Sequence, residues 1–137
     1  MRYRNGMCAL ALVGTMITGC LFARQAGAHD VEKVLFLVIE QDEVIASNTR
    51  LGRFDRLEMS AKEKILDYKA SSATAVVVTN QRFAAYGVFT GGWNSRRVRA
   101  GEKLESIEVA DYSATVVSSD RILNFYGRTG TWSETKR

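Results

Sequence analysis

Residues 61–95 align with residues 100–134 at a constant offset of 39 with no gap, and ten of the 35 pairs are identical. The identities are Ala61/Ala100, Glu63/Glu102, Lys64/Lys103, Ala75/Ala114, Val77/Val116, Val78/Val117, Arg82/Arg121, Thr90/Thr129, Gly91/Gly130 and Trp93/Trp132. A fainter copy lies one period earlier: Val38 falls on Val77, Ala46 on Ala85, Gly52 on Gly91 and Phe54 on Trp93. A Gly-x-aromatic element thus recurs three times, at Gly52-x-Phe54, Gly91-x-Trp93 and Gly130-x-Trp132. A fixed period of this size means one supersecondary unit used repeatedly, each copy burying its apolar face against the next. The copies span about 34–60, 61–99 and 100–137 within a β-repeat domain 34–137.

Within a copy the pattern is that of strands. Ala73–Thr79 (ATAVVVT) is apolar and β-branched on both alternating sets, as in a strand buried on both faces. Asn80-Gln81 is turn material, Arg82–Phe89 reads as a second strand, and Thr90-Gly91-Gly92 supplies a turn that accepts positive φ. Trp93–Val98 and Lys103–Val109 complete a set of short strands, so the chain is expected to be all-β. One local pattern competes. Ser60-x-x-Glu63 matches a capping box, and the KEKILDYKA segment after it has helical propensity, although its aligned copy carries Ile107 and Val109 and favours a strand.

The stretch Val116–Trp132 (VVSSDRILNFYGRTGTW) resembles a β-propeller blade, in which a Thr-Gly turn leads to a Trp on the outer strand. No WD dipeptide is present. The resemblance implies three four-stranded repeats, although the first copy has only three candidate strands and three blades are too few to close a ring of the usual four to eight. Two chains would then close it together, making a homo-oligomer, a dimer first of all, with residues 31–39 and the last copy in the interface. The alternative is a β-trefoil, which also has three repeats of this length; its lectins carry Gln-x-Trp where this chain has Gly-x-aromatic.

The first 28 residues have a different character. Arg2 and Arg4 precede an uncharged run that includes Met7–Phe22, the layout of a secretory signal. Two cleavage patterns are present. Ala26-Gly27-Ala28 would remove 1–28 and leave His29 first. Ile17-Thr18-Gly19-Cys20 resembles a lipobox, which implies removal of 1–19 and a lipid on Cys20. An extracytoplasmic location follows in either case, periplasmic or secreted, with membrane contact only through the leader or a Cys20 lipid. Both cysteines, Cys8 and Cys20, lie in this leader, so no disulfide is expected in the repeats. From His29 onward 16 basic residues stand against 15 acidic ones. A body so nearly neutral is not expected to attract nucleic acid at long range.

Catalytic chemistry has little to draw on. The single histidine, His29, lies before the repeats, and a His/Cys metal site is excluded by count. Carboxylates are plentiful, but no pair stands out as glycosidase acid and base. No catalytic residue, metal or cofactor is therefore expected. Candidate ligand-binding residues are the repeated aromatics Phe54, Trp93 and Trp132 and the arginines Arg96, Arg97 and Arg99. The aromatics could stack on a pyranose ring or pack between repeats, and the arginines could hold an acidic glycan or blunt an exposed edge strand. Arg82 and Arg121 are expected to bond nearby backbone or a carboxylate such as Asp120. The functional expectation is a non-catalytic extracytoplasmic module for protein binding or assembly, with a glycan or an envelope protein as partner. A lectin-like carbohydrate binder is the alternative, and a carboxylate glycosidase a weaker one.

Overall fold

The computed structural model describes residues 32–137. The expected signal peptide, its cleavage patterns and Cys20 lie outside the described residues. Eleven strands form three antiparallel sheets, and no helix occurs among the described residues. Sheet 1 contains β1 (Leu35–Ile39), β2 (Glu43–Asn48) and β3 (Arg53–Glu58) in sequence order. Sheet 2 contains β4 (Ile65–Ala70), β5 (Thr74–Thr79), β6 (Arg82–Gly87) and β7 (Trp93–Arg97). Sheet 3 repeats this with β8 (Leu104–Val109), β9 (Ser113–Ser118), β10 (Arg121–Tyr126) and β11 (Thr131–Lys136). Each sheet is one copy of the repeat, and ladder pairing stays within the copy. A β-trefoil, which pairs strands of different repeats around one barrel, does not describe this arrangement. Sheet 1 has three strands among the described residues rather than four: β1 is the counterpart of β5, and nothing described stands where β4 and β8 stand.

The strand period decides how the sheets stack. Successive side chains of a strand point to opposite faces. In β5 and β6 both faces are apolar, and both strands are buried almost throughout. Val76, Val78, Phe83 and Ala85 meet Ile107, Ala114, Val116, Leu123 and Phe125 of sheet 3. Ala75, Val77, Ala84 and Tyr86 face the other way, against Leu35, Val44, Ala46 and Leu57 of sheet 1. Sheet 2 is thus the middle layer. The outer sheets alternate buried and accessible positions, as β2 and β9 do. Sheets 2 and 3 come nearest along β4, β5, β8 and β9, the first two strands of each copy.

Glycine sets how closely two sheets approach. A Cβ at Gly87 would lie 2.1 Å from the Gly127 carbonyl oxygen, so only glycine fits where β6 ends against sheet 3. The Gly-x-aromatic glycines serve differently. Gly91 and Gly130 have φ of 64° and 68° and sit in the turns that lead to Trp93 and Trp132. The capping-box residues at Ser60 form a turn and not a helix. The Ser60 amide donates to the Glu63 carboxylate at 2.9 Å, but Ile65 then begins β4. Pairing of β4 with β5 outweighs the modest helical propensity of this segment.

Candidate interaction surfaces

The sheets are joined by two contacts that recur with the repeat. The first is a buried ion pair. Arg121 Nε donates to Glu102 at 2.9 Å, and Ser118 Oγ donates to the same carboxylate at 2.6 Å. The Glu102 and Arg121 side chains are 0% and 5% exposed. One copy earlier, Arg82 Nε donates to Glu63 at 2.8 Å and Thr79 Oγ1 at 2.7 Å. Each arginine also reaches back to the preceding sheet, Arg121 to the Arg97 carbonyl oxygen and Arg82 to that of Glu58. Arg121 therefore bonds backbone and carboxylates, as expected of it, but its carboxylates are Glu102 and Glu134 in place of Asp120. Asp120 lies in an exposed turn beside it, whereas Glu102 is brought in from 19 residues away by the β7–β8 connection. Burial is the largest influence on Glu102 and pushes its carboxyl up. The hydrogen bonds from Arg121, the Arg99 amide and Ser118 outweigh it, and the carboxyl sits below its ordinary value. Glu63 is lowered in the same way, by Ser60, Arg82 and Thr79 acting against burial.

The second contact uses the repeated aromatics. Trp93 Nε1 donates to the Asp55 carbonyl oxygen at 3.2 Å, and Trp132 Nε1 to that of Asn94 at 3.1 Å. Each indole is bonded to the outer strand of the sheet before it. Each also meets an aromatic of its own sheet, with centroids 5.3 Å apart for Tyr86–Trp93 and 5.2 Å for Phe125–Trp132. Phe54 holds the same position in sheet 1, where no described sheet precedes it, and it is 72% exposed. The three aromatics therefore lie at successive levels of the stack and not around one pocket.

Of the three arginines, Arg99 pairs with Glu134 at 2.8 Å. Arg96 and Arg97 are exposed on β7 and make no ion pair among the described residues. At the joint of sheets 1 and 2 lies a polar network that sequence reasoning missed. Tyr86 Oη donates to Asp55 at 2.6 Å and accepts from Asn48 Nδ2 at 2.9 Å, while Arg53 grips Asp55 with Nε and Nη2. Burial, reinforced by Asp55, pushes the Tyr86 phenol up to about 12. The Arg53 guanidinium holds Asp55 below the usual carboxylate range. The set is not repeated in the other copies: Asn48 aligns with Gly87 and Tyr126, and Tyr86 with Phe125 and Ser47. No cluster of three or more His, Cys, Asp or Glu side chains suited to a metal occurs among the described residues.

Two sheet faces are left uncovered among the described residues. The outward face of sheet 1 carries Phe36, Val38 and Phe54, all exposed. The outward face of sheet 3 is more polar, with Ser113, Thr115, Asn124 and Tyr126; Thr115 Oγ1 donates to Asn124 Oδ1 at 2.8 Å across it. No family model matches the chain. No curated protein matches it either. Among solved structures it is similar to the N-terminal domain of Nup159, at 16% identity and a TM-score of 0.42. It is also similar to a chain of an S. cerevisiae assembly, a Dbp5 variant bound to Nup159, a Gle1 variant, IP6 and ADP, at 15% identity and a TM-score of 0.43. Each match covers 77% of this chain and 28% of the other.

Proposed function

We propose that this chain is a non-catalytic, exported assembly module whose three sheets are successive blades of a β-propeller-like ring, closed by a second copy of the chain. One observation carries the reading. Both internal joints pair the same two kinds of face, and the described chain leaves one of each kind bare. At the joint of sheets 1 and 2, Trp93 is bonded to Asp55; at that of sheets 2 and 3, Trp132 is bonded to Asn94. The bare face of sheet 1 is the counterpart of the Trp-bearing faces, with Phe54 in the tryptophan position. The bare face of sheet 3 is the counterpart of the faces that receive those tryptophans. Sheets 2 and 3 also converge along their first strands, as blades do around an axis. A second copy set head to tail covers both faces at once and gives a closed six-sheet ring with two-fold symmetry. Without it, Phe36, Val38 and Phe54 form an apolar patch in water.

Tyr126 distinguishes the joint between chains from the joint within. It stands where sheet 2 has Gly87 and sheet 1 has Asn48, and in this reading it fills space at the new joint just as Asn48 does at the first. The lectin-like reading is less well supported, because both tryptophans already spend their N–H groups on backbone carbonyls of the neighbouring sheet. Export rests on the leader read from residues 1–28. The test is sedimentation equilibrium on the wild type and on a Phe36→Asp/Phe54→Asp variant. A dimeric wild type and a folded, monomeric variant are expected. A wild type that stays monomeric at tens of micromolar would overturn the reading.

A further inference from the structure

Residues 50, 89 and 128 are equivalent positions of the three copies, in the turns that follow β2, β6 and β10. They are Arg50, Phe89 and Arg128, three residues with no identity to mark them as a set. Stacking of the copies places them together. The Arg50 guanidinium lies 4.3 Å from the Phe89 ring centroid and that of Arg128 5.1 Å from it. Arg128 also lies 4.3 Å from the centroid of Tyr112, whose ring is 5.5 Å from that of Phe89. Stacking on an aromatic face holds a guanidinium in place without using its N–H donors.

Those donors are unspent among the described residues. Six other arginines of the described region, Arg53, Arg56, Arg82, Arg99, Arg121 and Arg137, pair with carboxylates. Arg50 and Arg128 make neither an ion pair nor a hydrogen bond among the described residues, and both side chains are exposed. Asp111, next to Tyr112, does not pair with Arg128. Two like charges are thus fixed around a single ring with no counter-charge on either among the described residues. Such an arrangement is stabilised by an anion that both can reach. Two planar forks held against one ring suit a ligand with several anionic oxygens, and phosphate offers more acceptor positions than a carboxylate.

The geometry points to an anion site at Arg50, Phe89 and Arg128 that takes a phosphate-bearing ligand, ideally one with two neighbouring phosphoryl groups. The site is local and does not depend on net charge, which is nearly balanced from His29 onward. The same chemistry is carried by free phosphorylated compounds and by lipid headgroups.

Titration calorimetry with inorganic pyrophosphate tests it, on the wild type, Arg50→Ala/Arg128→Ala and Arg96→Ala/Arg97→Ala. The two variants lose the same charge, and Arg96 and Arg97 are equally without partners. Saturable binding is expected, weakened about tenfold or more in the first variant, a loss of roughly 1.4 kcal/mol or more, and nearly unchanged in the second. Arg50→Lys/Arg128→Lys keeps the charge and loses the forks, so intermediate binding is expected. Co-sedimentation with phosphatidylglycerol vesicles, set against phosphatidylcholine vesicles, separates the sources. Vesicle binding that pyrophosphate competes away assigns the site to headgroups, and pyrophosphate binding alone assigns it to soluble phosphates. Absence of saturable pyrophosphate binding, or equal weakening in both alanine variants, overturns the proposal.

Discussion

Glu102 accepts from Arg121 Nε at 2.9 Å with both side chains withdrawn from water, and Glu63 and Arg82 repeat the pair one period earlier at 2.8 Å. A buried carboxylate is tolerated only where donors replace its water, and here an arginine, a hydroxyl and a backbone amide do so. Because the arginine also bonds a carbonyl of the preceding sheet, the pair ties the base of one repeat to the edge of the one before.

Removing Glu102 leaves Arg121 buried with only Glu134 for a counter-ion. Glu102→Ala is expected to cost about 3 kcal/mol, as for breaking a buried pair from one side. Arg82 is 28% exposed, so Glu63→Ala should cost less. Both carboxyls lie below their ordinary value in the folded protein. Their stabilisation is therefore present above the ordinary glutamate range, near pH 4.3, and is lost as pH falls through the folded values. Urea denaturation at pH 7 and pH 3 checks this. Glu102→Gln should narrow the gap between the two pH values.

The Tyr86 phenol, pushed up to about 12, should titrate above the ordinary tyrosine value near pH 10. A raised folded value means stability that holds below the unfolded tyrosine value, near pH 10, and is lost as pH rises toward 12. Tyr86→Phe removes this alkaline loss. It also strips Asn48 and Asp55 of a partner, at a cost of about 1–3 kcal/mol at neutral pH. Melting temperatures from pH 8 to 11.5 for the wild type and the variant measure both effects.

Gly87→Ala sets a methyl group against the Gly127 carbonyl oxygen, which is backbone and cannot rotate away. Sheets 2 and 3 must separate, and a loss of about 3 kcal/mol or more is expected. Gly52→Ala meets no atom within 4 Å and carries only the strain of its positive φ, about 1 kcal/mol. Denaturation midpoints of the two variants should differ clearly.

The period of 39, the strands and the double burial of β5 could be read directly, because a strand's side-chain alternation and a repeat's identities are local patterns. The members of the two ion pairs were also visible, since Glu63/Glu102 and Arg82/Arg121 are among the ten identities. Their pairing was not, because a partner 19 residues away is defined by how the sheet connection folds back; Asp120 suggested itself as a carboxylate only by being the neighbour in sequence. Two opposite charges recurring at a constant separation were the signal available. The Arg50–Phe89–Arg128 stack was hidden for a different reason. Comparison of copies looks for likeness, and this contact forms because equivalent positions differ. Asn48, Gly87 and Tyr126 make the same point at the sheet joints.

Coverage of the bare sheet faces in solution tests the assembly most directly. Tyr126, on the outward face of sheet 3, and Tyr68, on edge strand β4, are each 48% exposed in the single chain. Hydroxyl-radical footprinting compares them within one sample, with Phe54 as a second reporter. Closure by a second copy predicts that Tyr126 and Phe54 are oxidised several-fold more slowly than Tyr68, and that the difference disappears in Phe36→Asp/Phe54→Asp for Tyr126. Equal oxidation of Tyr126 and Tyr68 in the wild type, with Phe54 reacting as a 72% exposed side chain should, would contradict it.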